Sequence, residues 1–405
     1  MAWEQVALQD VAKVVGGSTP RRDNPSFWDG DIPWLTPTDL PSLGSGVTNV
    51  CETTSHITEE GFKGTSLSLL PPSTVVFSSR ATIGKVGVTS VPITTNQGFV
   101  NFIPNERIEP RYLAWVLYQH VEQIAALSGS TTFKEVSRTS LKKFRIPLPP
   151  KDEQRRIAHL LDAAHEIQRL RKEANEKARR ILPALFLELF GDPATNPRGW
   201  EVRTVGEVAV KFSDGPFGSN LKSSHYVDSG VRVIRLQNIG AGEFLDNDKA
   251  YVSESHFATI SKHECRPGDV LIGTLGDPNL RAVVQPEWLT LGLNKSDCVQ
   301  LRPNPEIANA HYLAALLNNT SVLGMAQALI LGQTRGRIAM GRLRNLAVPI
   351  PPLPLQEKFA EYARASESIG GRTREATEST EHFGDTLRSR LFASQHQLQG
   401  EVGDR

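Results

Sequence analysis

Residues 146–157 read IPLPPKDEQRRI and residues 348–359 read VPIPPLPLQEKF, a spacing of 202 that lays Pro147, Pro149, Pro150 and Gln154 over Pro349, Pro351, Pro352 and Gln356. Proline can precede a helix but not continue one, so each diproline marks a helix start. From there positions step by three and four through Ile157, Leu160, Ala164, Ile167, Arg171, Ala174, Ala178, Ile181 and Leu185, eight of the nine apolar. That is the spacing of a coiled-coil seam. The second segment repeats the register as Phe359, Tyr362, Ser366, Ile369, Thr373, Ala376, Thr380, Phe383 and Leu387. Helix pairing is therefore expected of Ile157, Leu160, Ile167, Ile181 and Leu185 on one helix and Phe359, Tyr362, Ile369, Phe383 and Leu387 on the other. Pro183 is expected to kink the first helix near its end. Gly370 and Gly371 each cost about 1 kcal/mol inside a helix, and leave two readings, a close backbone approach or a local break. About 38 helical residues at roughly 1.5 Å each make a rigid spacer on the order of 55 Å.

Outward from this pair, the whole second half resembles the first at a spacing drifting from 195 to 202. Trp3, Glu4, Val11 and Ala12 recur as Trp200, Glu201, Val208 and Ala209, and Phe62, Pro72 and Val75 as Phe257, Pro267 and Val270. Asn96 recurs as Asn294, and Tyr112, Leu113, Ala114 and Leu117 as Tyr312, Leu313, Ala314 and Leu317. Duplication is the simplest account. Before each long helix, Trp3 to about Leu148 and Trp200 to about Ile350, short β-branched runs such as STVVF and GDVLIGT are bounded by Gly, Pro, Ser and Asn clusters. Each of these parts reads as a strand-rich mixed domain with a helix, near Glu109 to Leu127 and near Asn309 to Leu329. If a pseudo-dyad relates the copies, the long helices run antiparallel. The expected fold is α+β: two mixed α/β domains in tandem repeat, separated by two long antiparallel coiled-coil helices. The expected boundaries are 1–150, a helix 151–192, 193–352, a helix 353–394 and a polar tail 395–405.

With 39% hydrophobic and 22% charged residues, the chain has an ordinary globular composition, which excludes disordered and collagen-like classes. Apolar runs such as Val322 to Leu331 fall far short of the roughly 20 residues a bilayer requires, and MAWEQVALQD lacks the pattern of a signal peptide, so no membrane and a cytoplasmic location are expected. Cys51, Cys265 and Cys298 lie too far apart for a CxxC pair, and no HExxH or HxxxH pair suits zinc, so no metal is expected. The net charge of +1 speaks mildly against a nucleic-acid binder, but the distribution points the other way. No acid lies between Ile307 and Gln356, where Arg335, Arg337, Arg342 and Arg344 fall, and Arg138, Lys142, Lys143, Arg145 and Lys151 follow Glu135 before the next acid. Two basic segments suggest two local anionic contacts.

These elements together resemble the specificity subunits of Type I restriction-modification systems, over essentially the whole chain. The resemblance rests on SGSTTFKEVSRTSLKKFRIPLPPKDEQRRI (Ser128 to Ile157), GGSTP (Gly16 to Pro20), IPWLTPTDL (Ile32 to Leu40), SSRATIGKVG (Ser78 to Gly87), TTNQGF (Thr94 to Phe99) and LFGDPATNPRGWE (Leu189 to Glu201). The second repeat departs from the family pattern with Leu355 where the first has Glu153, and with GQTRGRIAMGRLRN in place of the GST segment. The resemblance implies a non-catalytic subunit that reads a bipartite asymmetric target in double-stranded DNA, one half-site per domain, with the helices fixing the unread spacer. It implies two modification (methyltransferase) subunits docked on the helices, with restriction (translocase and nuclease) subunits joining them. No cofactor is then expected in this chain; S-adenosylmethionine belongs to the modification subunits, and ATP and Mg to the restriction subunits.

Arginine pairs with phosphate or forks onto guanine, and Asn or Gln bridges the edge of adenine. On that chemistry the DNA-binding candidates are Arg80, Asn96, Gln97, Lys134 and Arg138 in the first domain. In the second they are Arg235, Gln237, Asn238, Asn294, Arg335 and Arg337. A solvated charged face or polar turn is the alternative for any one of them. NPSF at Asn24 to Phe27 approaches the NPPF motif of adenine methyltransferases but lacks its second proline, and no glycine-rich cofactor loop follows a strand. IGK at Ile83 to Lys85 lacks the glycine and hydroxyl of a phosphate-binding loop, so Lys85 reads as a strand end. Two other function classes stay open from the residues alone: a complete methyltransferase or nuclease, and a duplicated DNA- or protein-binding scaffold serving a different defence complex.

Overall fold

The computed structural model describes residues 3–128, 134–276, 278, 280–331 and 336–392; along the last helix it describes side chains through 370 and at 376, 377, 379, 380, 383, 384 and 386. Two compact units emerge, Met1–Arg171 with Ala376–Arg405, and Lys172–Glu375. Each long helix, Lys151–Phe190 and Leu353–Phe392, is shared between them. The first helix continues through Pro183 and the second through Gly370 and Gly371, so the local break does not occur.

In the first unit a five-stranded sheet has the order Ala12–Gly16, Phe99–Pro104, Val75–Ser78, Val86–Thr89, Val47–Val50, antiparallel except for its last pair. STVVF supplies its middle strand, whose residues are all buried, as expected of a strand covered on both faces. A smaller sheet pairs Trp28–Leu35 antiparallel to Ser55–Ile57 and parallel to Thr94–Thr95. The terminal strand Glu4–Ala7 pairs with Arg145–Leu148 just before the diproline.

The second unit repeats this plan. Its main sheet has the order Ala209–Asp214, Cys298–Pro303, Val270–Gly273, Arg281–Val284, all antiparallel. Val231–Ile234 runs parallel to Gly292–Asn294, and Glu201–Thr204 pairs with Ala347–Ile350. The single helix expected in each domain is two: Pro110–Gln119 and Val121–Ala126 in one, Ala310–Leu317 and Thr320–Gln327 in the other. The breaks follow from local bonding, since the His120 ring takes the Val116 carbonyl at 2.7 Å and the Asn319 side chain caps Ser321 N at 2.9 Å.

The glutamine of the repeated motif anchors each long helix to its domain. Gln154 is buried; its Oε1 accepts from Glu109 N at 2.8 Å, and its Nε2 donates to Arg107 O at 3.0 Å and Pro149 O at 2.8 Å. Gln356 makes the same three bonds, from Asn309 N at 2.9 Å and to Ile307 O at 3.0 Å and Pro351 O at 2.7 Å. A buried tyrosine adds a fourth tie, Tyr112 Oη to Pro147 O at 2.9 Å and Tyr312 Oη to Pro349 O at 2.7 Å. Burial pushes both phenols well above the usual tyrosine range. In the first unit Asp162 also holds Arg111 Nε at 2.8 Å and Trp115 Nε1 at 2.7 Å.

Seam assignment differs from the expectation. Ile157 and Phe359 are buried and Leu160 and Leu185 half-buried, but Ile167, Ile181, Tyr362, Ile369 and Phe383 are exposed, and Leu387 lies outside the described side chains. The shared positions at 157, 164 and 185 admit two flanking rows. Burial follows the row through Leu161, Gln168, Asn175 and Leu182 instead of Leu160, Ile167, Ala174 and Ile181. In the first unit Gln168 Nε2 donates to Thr380 O at 3.4 Å and Arg171 to Ala376 O, a crossing that is antiparallel there. In the second, Phe186 and Phe190 stack around Phe359 and Tyr312, with centroids 4.8–5.6 Å apart. These four aromatics are buried, each burial contributing roughly 1.5–3 kcal/mol.

Candidate nucleic-acid interface

At one end of the first domain's main sheet, four segments distant in sequence meet. Ser18 N donates to Thr95 O at 2.9 Å, Ser79 N to Gly98 O at 2.8 Å, Val136 N to Ser79 O at 2.9 Å and Ala81 N to Lys134 O at 3.3 Å. These bonds tie GGSTP, SSRATIG, TTNQGF and the segment Lys134 to Arg138 into one loop cluster. Gly17 is required here, because a Cβ would lie 1.9 Å from Asn96 O. Trp34 Nε1 fastens the first loop from below through Ser18 O at 3.1 Å.

Arg80, Gln97, Lys134 and Arg138 are exposed on the cluster, together with the acid Glu135. Arg80 faces Glu135 at 3.8 Å, Gln97 accepts from Thr19 Oγ1, and Arg138 begins the short helix Arg138–Lys143 beside Gly16. Asn96 is half-buried, and its Oδ1 accepts from Gly98 N at 2.9 Å, so that oxygen shapes the turn. Lys85 is a structural tie, its Nζ donating to Pro37 O at 2.7 Å and Leu40 O at 2.8 Å. Asn24 caps a 3-10 turn through Ser26 N at 3.2 Å and Ser26 Oγ at 2.9 Å, which accounts for NPSF without chemistry.

The second domain builds the same cluster from Asp214 to Phe217, Thr274 to Gly276, Lys295 to Asp297 and Arg337 to Ile338. Thr274 Oγ1 donates to Asp297 O at 3.2 Å, Ile338 N to Thr274 O at 3.0 Å, and Leu275 bridges Arg337 as Arg80 bridges Glu135. A Cβ on Gly215 would lie 2.4 Å from Asn294 O, matching Gly17. Arg281 braces the neighbouring turn, Nε to Ile239 O at 2.6 Å and Nη2 to Leu236 O at 3.2 Å.

Strand register corrects one equivalence. Leu35 pairs with Thr95 and Ile234 with Asn294, while Asn96 N bonds Leu35 O at 2.9 Å and Lys295 N bonds Ile234 O at 3.1 Å. Asn96 therefore corresponds to Lys295 and not to Asn294, which is buried like Thr95 and donates to Cys298 O at 2.8 Å. Asn238 is likewise buried: its Oδ1 accepts from Arg235 N at 2.9 Å, and its Nδ2 donates to Leu245 O and Asp248 O at 2.9 and 2.8 Å. Neither asparagine amide reaches the surface. Arg235 is held by Asp248 under Tyr226, with its Cζ 5.9 Å from the ring centroid. Gln237 between them is exposed, Arg337 half-buried, and Arg335 lies outside the described residues. Lys295 was missed because an isolated lysine between Asn and Ser carries no motif; only the parallel pairing reveals its place.

A family model described as the Type I restriction modification DNA specificity domain matches residues 2–180 and again 197–365. The chain is 31% identical to the Type I restriction enzyme MjaIX specificity subunit of Methanocaldococcus jannaschii, over 88% of this chain and 85% of that protein. It is 32% identical to the EcoR124I/EcoR124II specificity subunit of Escherichia coli over 39% of this chain and 40% of that one. In fold it is similar to the crystal structure of a Type I restriction-modification S subunit from M. genitalium, with a TM-score of 0.62 at 16% identity, covering 97% of this chain and 96% of the other.

Proposed function

The chain belongs to the family of Type I restriction-modification DNA specificity domains and is a sequence-recognition subunit without catalysis of its own, and from this we propose that each loop cluster reads one half of a bipartite duplex target. The observation that carries the reading is that two clusters of one backbone plan carry different polar side chains at or near the surface. Arg80, Gln97, Lys134 and Arg138 stand on one; Gln237, Lys295 and Arg337 stand on or beside the other. Equal frames carrying unequal donors and acceptors suit an asymmetric target.

The long helices set the spacer and carry the partners. Ile167, Leu170, Ile181, Tyr362, Ile369 and Phe383 are apolar and exposed along them, which supports docking of two modification subunits. Those subunits bring S-adenosylmethionine, and restriction subunits bring ATP and Mg. No helix among the described residues is long and apolar enough to cross a membrane, and the proposed location is the cytoplasm, with the host DNA.

The test is co-expression with the modification subunit and single-molecule sequencing of host DNA for N6-methyladenine. A single bipartite motif that vanishes when this chain is omitted is the expected result; methylation unchanged by omission refutes the reading. Deleting one heptad from the middle of each long helix removes about 10 Å, or about three base pairs, so the spacer should change and both half-sites persist.

A further inference from the structure

The second cluster holds an arginine that is oriented before any ligand arrives. Arg337 Nη2 donates to Ser296 O at 3.2 Å, its Nη1 lies 3.7 Å from Asp297 Oδ1, and its Cζ lies 5.6 Å from the centroid of Phe217. The guanidinium thus lies over an aromatic ring, donates to a carbonyl and has a carboxylate beside it. Phe217 itself is 47% exposed, at the rim of the same cluster. A single exposed phenylalanine is ordinary on a protein surface; what distinguishes Phe217 is its place against the Arg337 guanidinium.

An arginine that only neutralises phosphate has no need of such bracing, because a point charge serves that purpose from many geometries. A guanidinium fixed in plane and direction suits bidentate donation to the N7 and O6 of guanine, and an apolar side chain beside it suits the methyl group of thymine. We infer that Arg337 reads a guanine in the second half-site and that Phe217 packs against the methyl of a thymine in the neighbouring base pair. The inference rests on the cluster being the DNA interface and goes further by naming the bases. It belongs to the second half-site alone. Register places Thr19 and Glu135 where the second domain has Phe217 and Arg337, and a carboxylate in the arginine's place cannot donate a fork to guanine.

The test uses the co-expressed complex and methylation sequencing, followed by methylation rates on duplexes carrying each base at every second-half position. The wild-type second half-site should contain a guanine in the base pair next to a thymine. Arg337→Lys keeps the charge and loses the fork, so discrimination at that guanine should fall on the order of tenfold to a hundredfold with the first half-site unchanged. Phe217→Ala should relax the thymine and weaken the guanine preference. A wild-type half-site without guanine overturns the inference. So does retained guanine preference in Arg337→Lys, or uniform loss of methylation at all positions in an assembled Arg337→Lys complex, which would mark a backbone contact. Methylation that does not depend on this chain at all would instead remove the interface reading beneath it.

Discussion

Replacing Gln356 by methionine keeps the volume of the buried side chain and deletes its three hydrogen bonds. Asn309 N then loses its acceptor, and the carbonyls of Ile307 and Pro351, bonded at 3.0 and 2.7 Å, lose their donor. Each buried group left unsatisfied costs about 1–3 kcal/mol, and relaxation around the flexible methionine places all three at the lower end. The sum is about 3 kcal/mol, a large fraction of the roughly 5–15 kcal/mol that stabilises a domain. For a domain of this size it lowers the melting temperature by about 6–12 °C. Calorimetry of the full chain would measure it, with Glu357→Met on the exposed face of the same turn as the control, expected within about 0.5 kcal/mol of wild type. Gln154→Met should destabilise the first domain by a similar amount, and the double variant should show the two losses independently, because the glutamines share no partner. If Gln356→Met melts within 2 °C of wild type, by the ~1 kcal/mol that such a shift represents, the amide is not the anchor described here.

Lys295→Ala should weaken duplex binding evenly across sequences and reduce the salt slope by about one, read by titration at several salt concentrations; a change confined to one base would contradict a phosphate role. Asn294→Ala, by contrast, should lower the stability of the second domain by about 1–2 kcal/mol through Cys298 O, measured by urea unfolding, with the same salt slope as wild type. In the first domain, burial alone would raise the Asp39 carboxyl, but hydrogen bonds from Thr54 and Thr36 hold it below the usual carboxylate range. Its folded pKa is thus depressed: the contribution is complete above about pH 4 and fades as pH falls through the folded value. Melting of Asp39→Asn should therefore vary less with pH in that acid window than wild type, and an unchanged profile would count against the Asp39 clamp.

Much of this architecture was legible in the chain because its signals are local and doubled. The diprolines start both helices, the three-and-four spacing makes them long, and STVVF and GDVLIGT become the central strands. Even the glutamines are marked twice, at 154 and 356. Resemblance to a specificity subunit needed no contact to be seen. The sites were less legible. Asn238 and Asn294 look in sequence like residues able to bridge adenine, since an asparagine in a polar loop is written the same whether its amide meets water or a carbonyl.

What the sequence determined by itself was the repeat, the two helix starts, the class of the domains and the family. Tertiary structure alone decided which side of each helix is covered, because a stripe of period 3.5 admits neighbouring rows and burial follows the less apolar one, through Leu161, Gln168, Asn175 and Leu182. It also decided that Asn96 corresponds to Lys295 and that Phe217 meets Arg337. Those relations are set by hydrogen bonds between segments dozens of residues apart, and no local pattern in the chain encodes them.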